Sequence, residues 1–165
     1  MLQTGDQAPL FSLLDADLER VDLSRFLGQR RVVLYFYPRD DTPGCTLEAL
    51  EFTDLHPDYE ALGTEILGIS RDSCVSHGAF RDKHGISVRL LADLDGEVCE
   101  AYGVWRVKEA HGDRRMGILR STFIITPDGR IRHALYDVKP RGHAGQVLDL
   151  VRALPPDAAI SSAAT

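Results

Sequence analysis

Cysteine is scarce in this chain and never paired. Cys45, Cys74 and Cys99 are spread through 165 residues, and no two stand as Cys-x-x-Cys. A structural zinc site or a disulfide scaffold therefore has little support, since both need clustered thiols. Basic runs are missing as well: nineteen Lys and Arg against twenty-five Asp and Glu give a formal net charge of −6. That disfavours nucleic acid as a partner, because phosphate binding needs local positive charge. No apolar window approaches a membrane span, and the opening Met1-Leu2-Gln3-Thr4-Gly5-Asp6 has neither a basic stretch nor a long apolar one. The expectation is a soluble cytoplasmic protein with no membrane partner. Internal repeats are absent, and low complexity is confined to the small, polar end of the chain.

What is present is enough apolar material, 44% of residues, for one domain with its own core. Strand-like and helix-like runs alternate. Ala8 to Leu14 and Val21 to Leu23 suggest a hairpin, followed by a helical turn at Ser24 to Leu27 that Gly28 ends. Arg31 to Phe36 is continuously apolar, β-branched and aromatic apart from its first residue, as expected of a central strand buried on both faces. A helix from Thr46 to Ala61 is expected, with Pro57 as a kink and Gly63 as a stop. Ile66 to Ser70 is a second buried strand, and Asp72 or Ser73 caps a helix reaching His84-Gly85. A short strand at Arg89 to Ala92 and a helix around Glu97 to Tyr102 come next. The charged stretch Arg106 to Arg115 reads as a solvated, mobile loop. Ser121 to Ile125 and Ile131 to Tyr136 flank the turn signal Thr126-Pro127-Asp128-Gly129-Arg130, a hairpin. A last helix spans about His143 to Ala153 and stops at Pro155-Pro156. Together these elements predict an α/β, thioredoxin-like fold: a central mixed β-sheet flanked by helices, with an N-terminal β-hairpin, over residues 1–154. Residues 155–165 are expected to be a flexible tail.

One segment carries the chemistry. Tyr37-Pro38-Arg39-Asp40-Asp41-Thr42-Pro43-Gly44-Cys45-Thr46-Leu47-Glu48 places a cysteine where a strand ends and a helix begins. A helix start has unpaired N–H groups and partial positive charge, so a thiol there ionises more readily than a free one and Cys45 is a candidate nucleophile. Ionisation alone is a small gain: lowering a thiol pKa of about 8.5 by two units raises the thiolate fraction at most roughly thirtyfold. The remaining acceleration must come from donors that meet charge developing in the transition state.

Pro38-x-x-x-Thr42-x-x-Cys45, with Glu48 one turn on, resembles the active-site signature of the peroxiredoxins. The longer string Phe36-Tyr37-Pro38…Thr42-Pro43-Gly44-Cys45-Thr46-x-Glu48-Ala49 resembles their bacterioferritin-comigratory, PrxQ-like subgroup. So do Gly5-Asp6-x-Ala8-Pro9-x-Phe11, Ile69-Ser70-x-Asp72-Ser73…Ser76-His77-x-x-Phe80-x-x-Lys83 and Tyr102-Gly103-Val104-Trp105. The resemblance implies a thiol-dependent peroxidase in which Cys45 attacks hydrogen peroxide or an organic hydroperoxide, becomes a sulfenic acid, and is recycled by thioredoxin, glutaredoxin or glutathione. It requires no metal or organic cofactor, because sulfur carries the electrons. In that setting the Thr42 hydroxyl, both donor and acceptor, would meet the peroxide or thiolate. The Gly44 and Cys45 N–H groups would hold its oxygens, Pro38 would shape the loop and shield the thiolate, and Glu48 would orient a basic partner. Arg120, just before the strand Ser121 to Ile125, matches the arginine of the family by its setting. The family also suggests a monomer or weak homodimer.

The departure lies in the second thiol. Where many PrxQ-like proteins carry a cysteine five residues after the first, this chain has Leu50, and the later alternative position aligns with Arg81. Cys74 is the candidate resolving residue if the Cys45 helix unwinds and the Cys74 region moves; otherwise an external thiol does the work. Cys99 is expected to be a buried filler, His77 and His84 ordinary helix-surface residues, and Trp105 a packing residue near the rim. Two rival functions share the fold. A thiol–disulfide oxidoreductase is disfavoured because Thr42 stands where Cys-x-x-Cys has its first cysteine. A binding or holdase module with vestigial thiol chemistry is the other.

Overall fold

In the computed structural model, which describes residues 1–156, nine strands and four α-helices form one layered unit. In chain order the elements are β1 (Ser12–Asp15), β2 (Arg20–Asp22), β3 (Arg31–Phe36), α1 (Pro43–Ala61), β4 (Thr64–Ser70), α2 (Cys74–His84), β5 (Arg89–Ala92), α3 (Glu97–Ala101), β6 (Trp105–Ala110), β7 (Asp113–Ile118), β8 (Ser121–Ile125), β9 (Ile131–Leu135) and α4 (His143–Arg152). Leu23–Arg25 is a short 3-10 turn. Residues 157–165 of the expected tail lie outside the described part. Seven strands make one sheet in the order β2-β1-β5-β4-β3-β8-β9, so β4 holds the middle and β3, the expected central strand, lies beside it. The β3–β4 and β4–β5 pairs are parallel, whereas β8 runs antiparallel to β3 and β9 antiparallel to β8. The mixed, thioredoxin-like sheet expected from the sequence is the one observed. The expected hairpin of β1 and β2 extends it through the β1–β5 pairing.

Every residue of β3 is buried, and its side chains alternate between two cores. Val32, Leu34 and Phe36 pack with Leu67, Phe123, Cys99 and Tyr102 on one face. Val33 and Tyr35 pack with Phe52, Tyr59, Phe80 and Val147 on the other. This two-sided burial is why the strand lacks polar alternation. The second face is covered by α1, α2 and α4, and Cys45 lies in its core.

Two segments depart most from expectation. Helix α1 begins at Pro43, three residues before Thr46, because proline at the first helical position forfeits only an N–H that would be unpaired anyway. It then continues through Pro57 to Ala61. The stretch Arg106 to Arg115 is not a loop: β6 and β7 form a two-stranded ribbon in register from Trp105↔Ile118 to Ala110↔Asp113. His111 and Gly112 turn it with φ of 54° and 82°, the positive pair that a two-residue hairpin turn requires. Glu109, Asp113, Arg114 and Arg115 are exposed strand positions and Arg106 and Lys108 are half-buried, and Trp105 and Val107 are the alternating signal that their surrounding charge obscured.

Candidate active site

The residues between β3 and α1 form a loop, with Tyr37 and Asp40 buried and Arg39 and Asp41 exposed, that leads to Cys45 in the first turn of the helix. Thr42 is the N-cap of α1, so Cys45 is its third helical residue. The first helical bond runs from the Thr46 N–H to the Thr42 carbonyl at 2.9 Å, leaving the Gly44 and Cys45 N–H groups ahead of the ladder. Cys45 is only 2% exposed.

Arg120 arrives from the start of β8, which pairs with β3 and thereby sets the arginine beside α1. Its Nη2 donates to the Cys45 Sγ at 3.4 Å and its Nη1 donates to Glu48 Oε1 at 2.7 Å. The Glu48 side chain is fully buried and that of Arg120 is 14% exposed, so the pair is shielded from water. Burial pushes the Glu48 carboxyl up from its usual 4.5 to about 7, against the opposing pull of Arg120. Glu48 Oε2 is buried without a hydrogen-bond partner, as is the Tyr35 hydroxyl. Gly44 makes the approach possible: a Cβ there would lie 3.2 Å from Arg120 Nη2 and 3.4 Å from Pro140 Cγ.

Four of the six sequence-designated positions, Cys45, Arg120, Gly44 and Glu48, thus meet directly. The other two stand at the edge. The Thr42 hydroxyl donates to the Arg39 carbonyl at 2.9 Å, which commits its proton and leaves its lone pairs. Pro38 borders a groove of about 320 Å³ lined also by Arg71, Leu94, Trp105, Lys108 and Met116. Trp105 is therefore a rim residue, with the Arg71 guanidinium 4.4 Å from the centre of its ring. Burial and the charge of Arg120 lower the Lys108 pKa, with Cys45 and Asp137 opposing them. The ribbon brings Lys108 and Met116 to this rim; a loop over Arg106 to Arg115 gave no sign that Lys108 would reach it.

The cysteines separate. Cys74 is the first residue of α2 and lines a groove with Ser12, Leu14, Arg20, Ala92 and Asp95, on the β1–β5 side. All three cysteines are free. Cys99 is buried as expected, and burial with Asp93 pushes its thiol far up.

His77 corrects the sequence reading. It is fully buried rather than a surface residue: Nδ1 lies 2.7 Å from Asp40 Oδ2 and Nε2 lies 2.9 Å from the Leu91 carbonyl. His84 is partly buried, with Nε2 2.8 Å from Asp41 Oδ1. Asp40, Asp72 and His77 bring ligand-type atoms within 4.8 Å of one another. Those atoms already serve each other and nearby hydroxyls, since Asp72 Oδ2 accepts from the Ser70 hydroxyl and from the Asp40 N–H. The donor set is satisfied as it stands, and it gives no ground for a metal. His143, at the start of α4 as expected, contacts the Thr122 hydroxyl at 2.7 Å through Nε2, and burial with the charge of Arg120 lowers its pKa to about 4.

A thioredoxin-like sheet with Cys45 at the start of a helix, held by a buried Arg–Glu pair and lacking a Cys-x-x-Cys partner, defines a thiol-dependent peroxidase rather than a disulfide exchanger. Residues 4–134 match the AhpC/TSA family, and the chain belongs to it. Peroxiredoxin Bcp of Escherichia coli (strain K12) is 42% identical over 151 residues, covering 92% of this chain and 96% of that protein. Peroxiredoxin Bcp of Bacillus subtilis (strain 168) is 40% identical over 151 residues, with the same coverage. Among solved structures, a mutant of Xylella fastidiosa PrxQ superposes with a TM-score of 0.87 at 38% identity, covering 93% of this chain and 97% of that one. The bacterioferritin comigratory protein of Xanthomonas campestris, described for its alkyl peroxide reduction activity, superposes with a TM-score of 0.82 at 39% identity, covering 87% and 90%. The chain is a peroxiredoxin similar to the Bcp and PrxQ proteins. Among the described residues no helix is long and apolar enough to cross a membrane.

Proposed function

We propose that Cys45 is the peroxide-reactive residue, that Arg120 is the group that meets the developing charge, and that an external thiol restores the enzyme. The supporting observation is the 3.4 Å contact between Arg120 Nη2 and Cys45 Sγ, with the other arm of the guanidinium fixed on Glu48 at 2.7 Å. A delocalised, permanently charged fork held in this way can stay beside sulfur while turning a donor toward the reacting oxygens. The Cys45 thiolate attacks the terminal oxygen of a hydroperoxide, forming an S–O bond as the O–O bond breaks. Sulfur is oxidised to the sulfenic acid, and the departing oxygen takes up a proton to leave as water or an alcohol. The Gly44 and Cys45 N–H groups supply further donors at the helix start. The Thr42 hydroxyl, its own proton spent on Arg39, accepts from the peroxide. Pro38 closes the loop toward the groove of Trp105 and Met116, whose apolar walls suit the organic part of an alkyl hydroperoxide.

Cys74 sits in a groove with β1 and β5 residues while Cys45, in the first turn of α1, faces the core with Tyr35 and Phe52, so this reading assigns resolution to a thiol from outside the chain. A first thiol displaces water from the sulfenic acid to give a mixed disulfide, and a second releases the disulfide product and the Cys45 thiol. Glutathione, glutaredoxin and thioredoxin are the reductants to compare. The proposed protein acts in the cytoplasm as a monomer or weak homodimer.

Stopped-flow peroxide consumption tests the first step: the wild type shows a fast phase that Cys45→Ser abolishes, and a fast phase surviving that change overturns the assignment. Disulfide mapping after one equivalent of peroxide tests the second. A trappable sulfenic acid that outlasts the oxidation is expected, whereas a dominant Cys45–Cys74 link removes the external-thiol cycle.

A further inference from the structure

Helix α2 presents Ser76, His77, Phe80, Lys83 and His84 along one face, at the spacing that lines up side chains over two helical turns. Four of the five reach the loop that precedes Cys45 through hydrogen bonds. Asp40 Oδ2 accepts from the Ser76 hydroxyl at 2.8 Å and faces His77 Nδ1 at 2.7 Å. Asp41, held at φ 57°, accepts from Lys83 Nζ at 2.7 Å and faces His84 Nε2 at 2.8 Å. The Phe80 ring lies 6.4 Å from that of Tyr37, whose hydroxyl donates to Asp40 Oδ1 at 2.6 Å. Two adjacent aspartates of the loop therefore splay onto the two ends of one helix face.

The buried half of this contact has a definite proton count. His77 Nε2 faces the Leu91 carbonyl, which can only accept, so Nε2 carries a hydrogen. His77 Nδ1 faces a carboxylate oxygen, so one further proton is shared between Nδ1 and Asp40. With it, every polar atom of a fully buried imidazole and of a carboxylate side chain 5% exposed is satisfied. Without it, two lone pairs would oppose one another at 2.7 Å in the interior.

We infer that His77 and Asp40 are positioning residues of the peroxidase reaction: they clamp the Cys45 loop onto α2 and so hold Pro38, Thr42 and the start of α1 where Arg120 can meet Cys45. The inference rests on the reading of Cys45 as the reacting thiol. Neither residue touches the reacting atoms. Their effect runs through the loop, where displacement of about 1 Å is enough to cost a large factor in rate.

Two near-isosteres separate this from a merely structural histidine. In His77→Asn the amide keeps a donor at the place of Nδ1 and loses the bond to Leu91; in His77→Gln the reverse holds. The second-order rate of Cys45 oxidation by hydrogen peroxide is expected to fall about tenfold in His77→Gln and Asp40→Asn, and to stay within about threefold of wild type in His77→Asn. The double variant Asp40→Asn with His77→Gln should be no slower than about twofold below the single ones, because both break the same contact. Hydrogen exchange of the 39–45 segment should quicken in His77→Gln and in the milder Ser76→Ala, but not in His77→Asn. Equal losses in the Gln and Asn variants, multiplicative losses in the double variant, or unchanged loop exchange overturns the clamp. A wild type without a Cys45-dependent fast phase would instead refute the proposed function, and the exchange measurement would still decide on the clamp.

Discussion

Arg120 stands 75 residues after Cys45 in the chain, yet its Nη2 lies 3.4 Å from the cysteine sulfur. The contact exists because β8 pairs antiparallel with β3, the strand that leads into the Cys45 loop. Glu48, three residues into the helix beyond Cys45, holds the other end of the guanidinium. One arginine thereby bridges two residues on adjacent positions of the same helix face.

Arg120→Lys keeps a positive charge but removes the fork that can hold Glu48 and sulfur together. The rate of Cys45 oxidation by peroxide is expected to fall about a hundredfold, as on removing one fixed donor from a transition-state site. Arg120→Ala should fall at least as far, with the loss exceeding any change in thiolate fraction followed by ultraviolet absorbance. Equal small effects on both would take Arg120 out of the reaction.

Gly44→Ala probes the same contact from the helix. The new Cβ would sit 3.2 Å from Arg120 Nη2, tighter than ordinary contact, so the guanidinium must yield by a few tenths of an ångström. The expected outcome is a five- to tenfold slower attack, at roughly that order by the cost of misplacement, with a melting temperature close to wild type. Stopped-flow kinetics and a thermal melt check it together.

Glu48 is expected to give the oxidation step an acid-side dependence. Its carboxyl titrates near 7, so above that pH it is ionised and holds Arg120 by charge, and below it the grip weakens. Glu48→Gln is neutral throughout. At about pH 8 the variant is expected to oxidise several-fold more slowly than wild type, and the two rates should converge below about pH 6. A constant ratio across the range would show that the charge of Glu48 does not orient Arg120. The stability consequence has the opposite sign. Because the folded carboxyl is raised above its unfolded value, its contribution to stability is present at low pH and declines as pH rises from 4.5 to about 7.

His143 acts in the other direction. It is neutral in the fold, held down from 6.5 to about 4 by burial and the charge of Arg120, whereas an unfolded chain takes up the proton below 6.5. Its contribution is therefore full above about 6.5 and is lost as pH falls toward 4. His143→Gln retains a donor or acceptor for Thr122 without the titration. Between neutral and acid pH its melting temperature should fall less than that of wild type; parallel falls would place the acid sensitivity elsewhere.

His77 of α2 shows where pattern reading fails. Val75 is 83% exposed and His77 is fully buried, the inverse of what hydropathy predicts for neighbouring positions on a helix. The inversion is stable because Asp40, Tyr37 and the Leu91 carbonyl supply partners for the imidazole, and those partners come from a loop and a strand 14 to 40 residues away. Asp40 was hidden for a related reason: in an Asp-Asp-Thr-Pro-Gly string each acidic residue reads as turn chemistry. The ribbon of β6 and β7 was concealed by its charge, although Trp105 and Val107 with the turn at Gly112 carried its period of two.

By itself the sequence determined the strands of the seven-stranded sheet, the helix that begins at the Cys45 loop and the kind of thiol chemistry, because those follow from local periodicity, from proline and glycine at a helix start, and from a short run of residues that resembles a known family. Tertiary structure alone decided which oxygen, nitrogen and sulfur atoms face one another: that Arg120 reaches sulfur through the β3–β8 pairing, that Glu48 is buried enough to titrate near 7, and that Cys74 lies in a groove beside β1. Those are consequences of register and burial between segments distant in the chain, where the free energy of a polar contact depends on what water has been excluded from it.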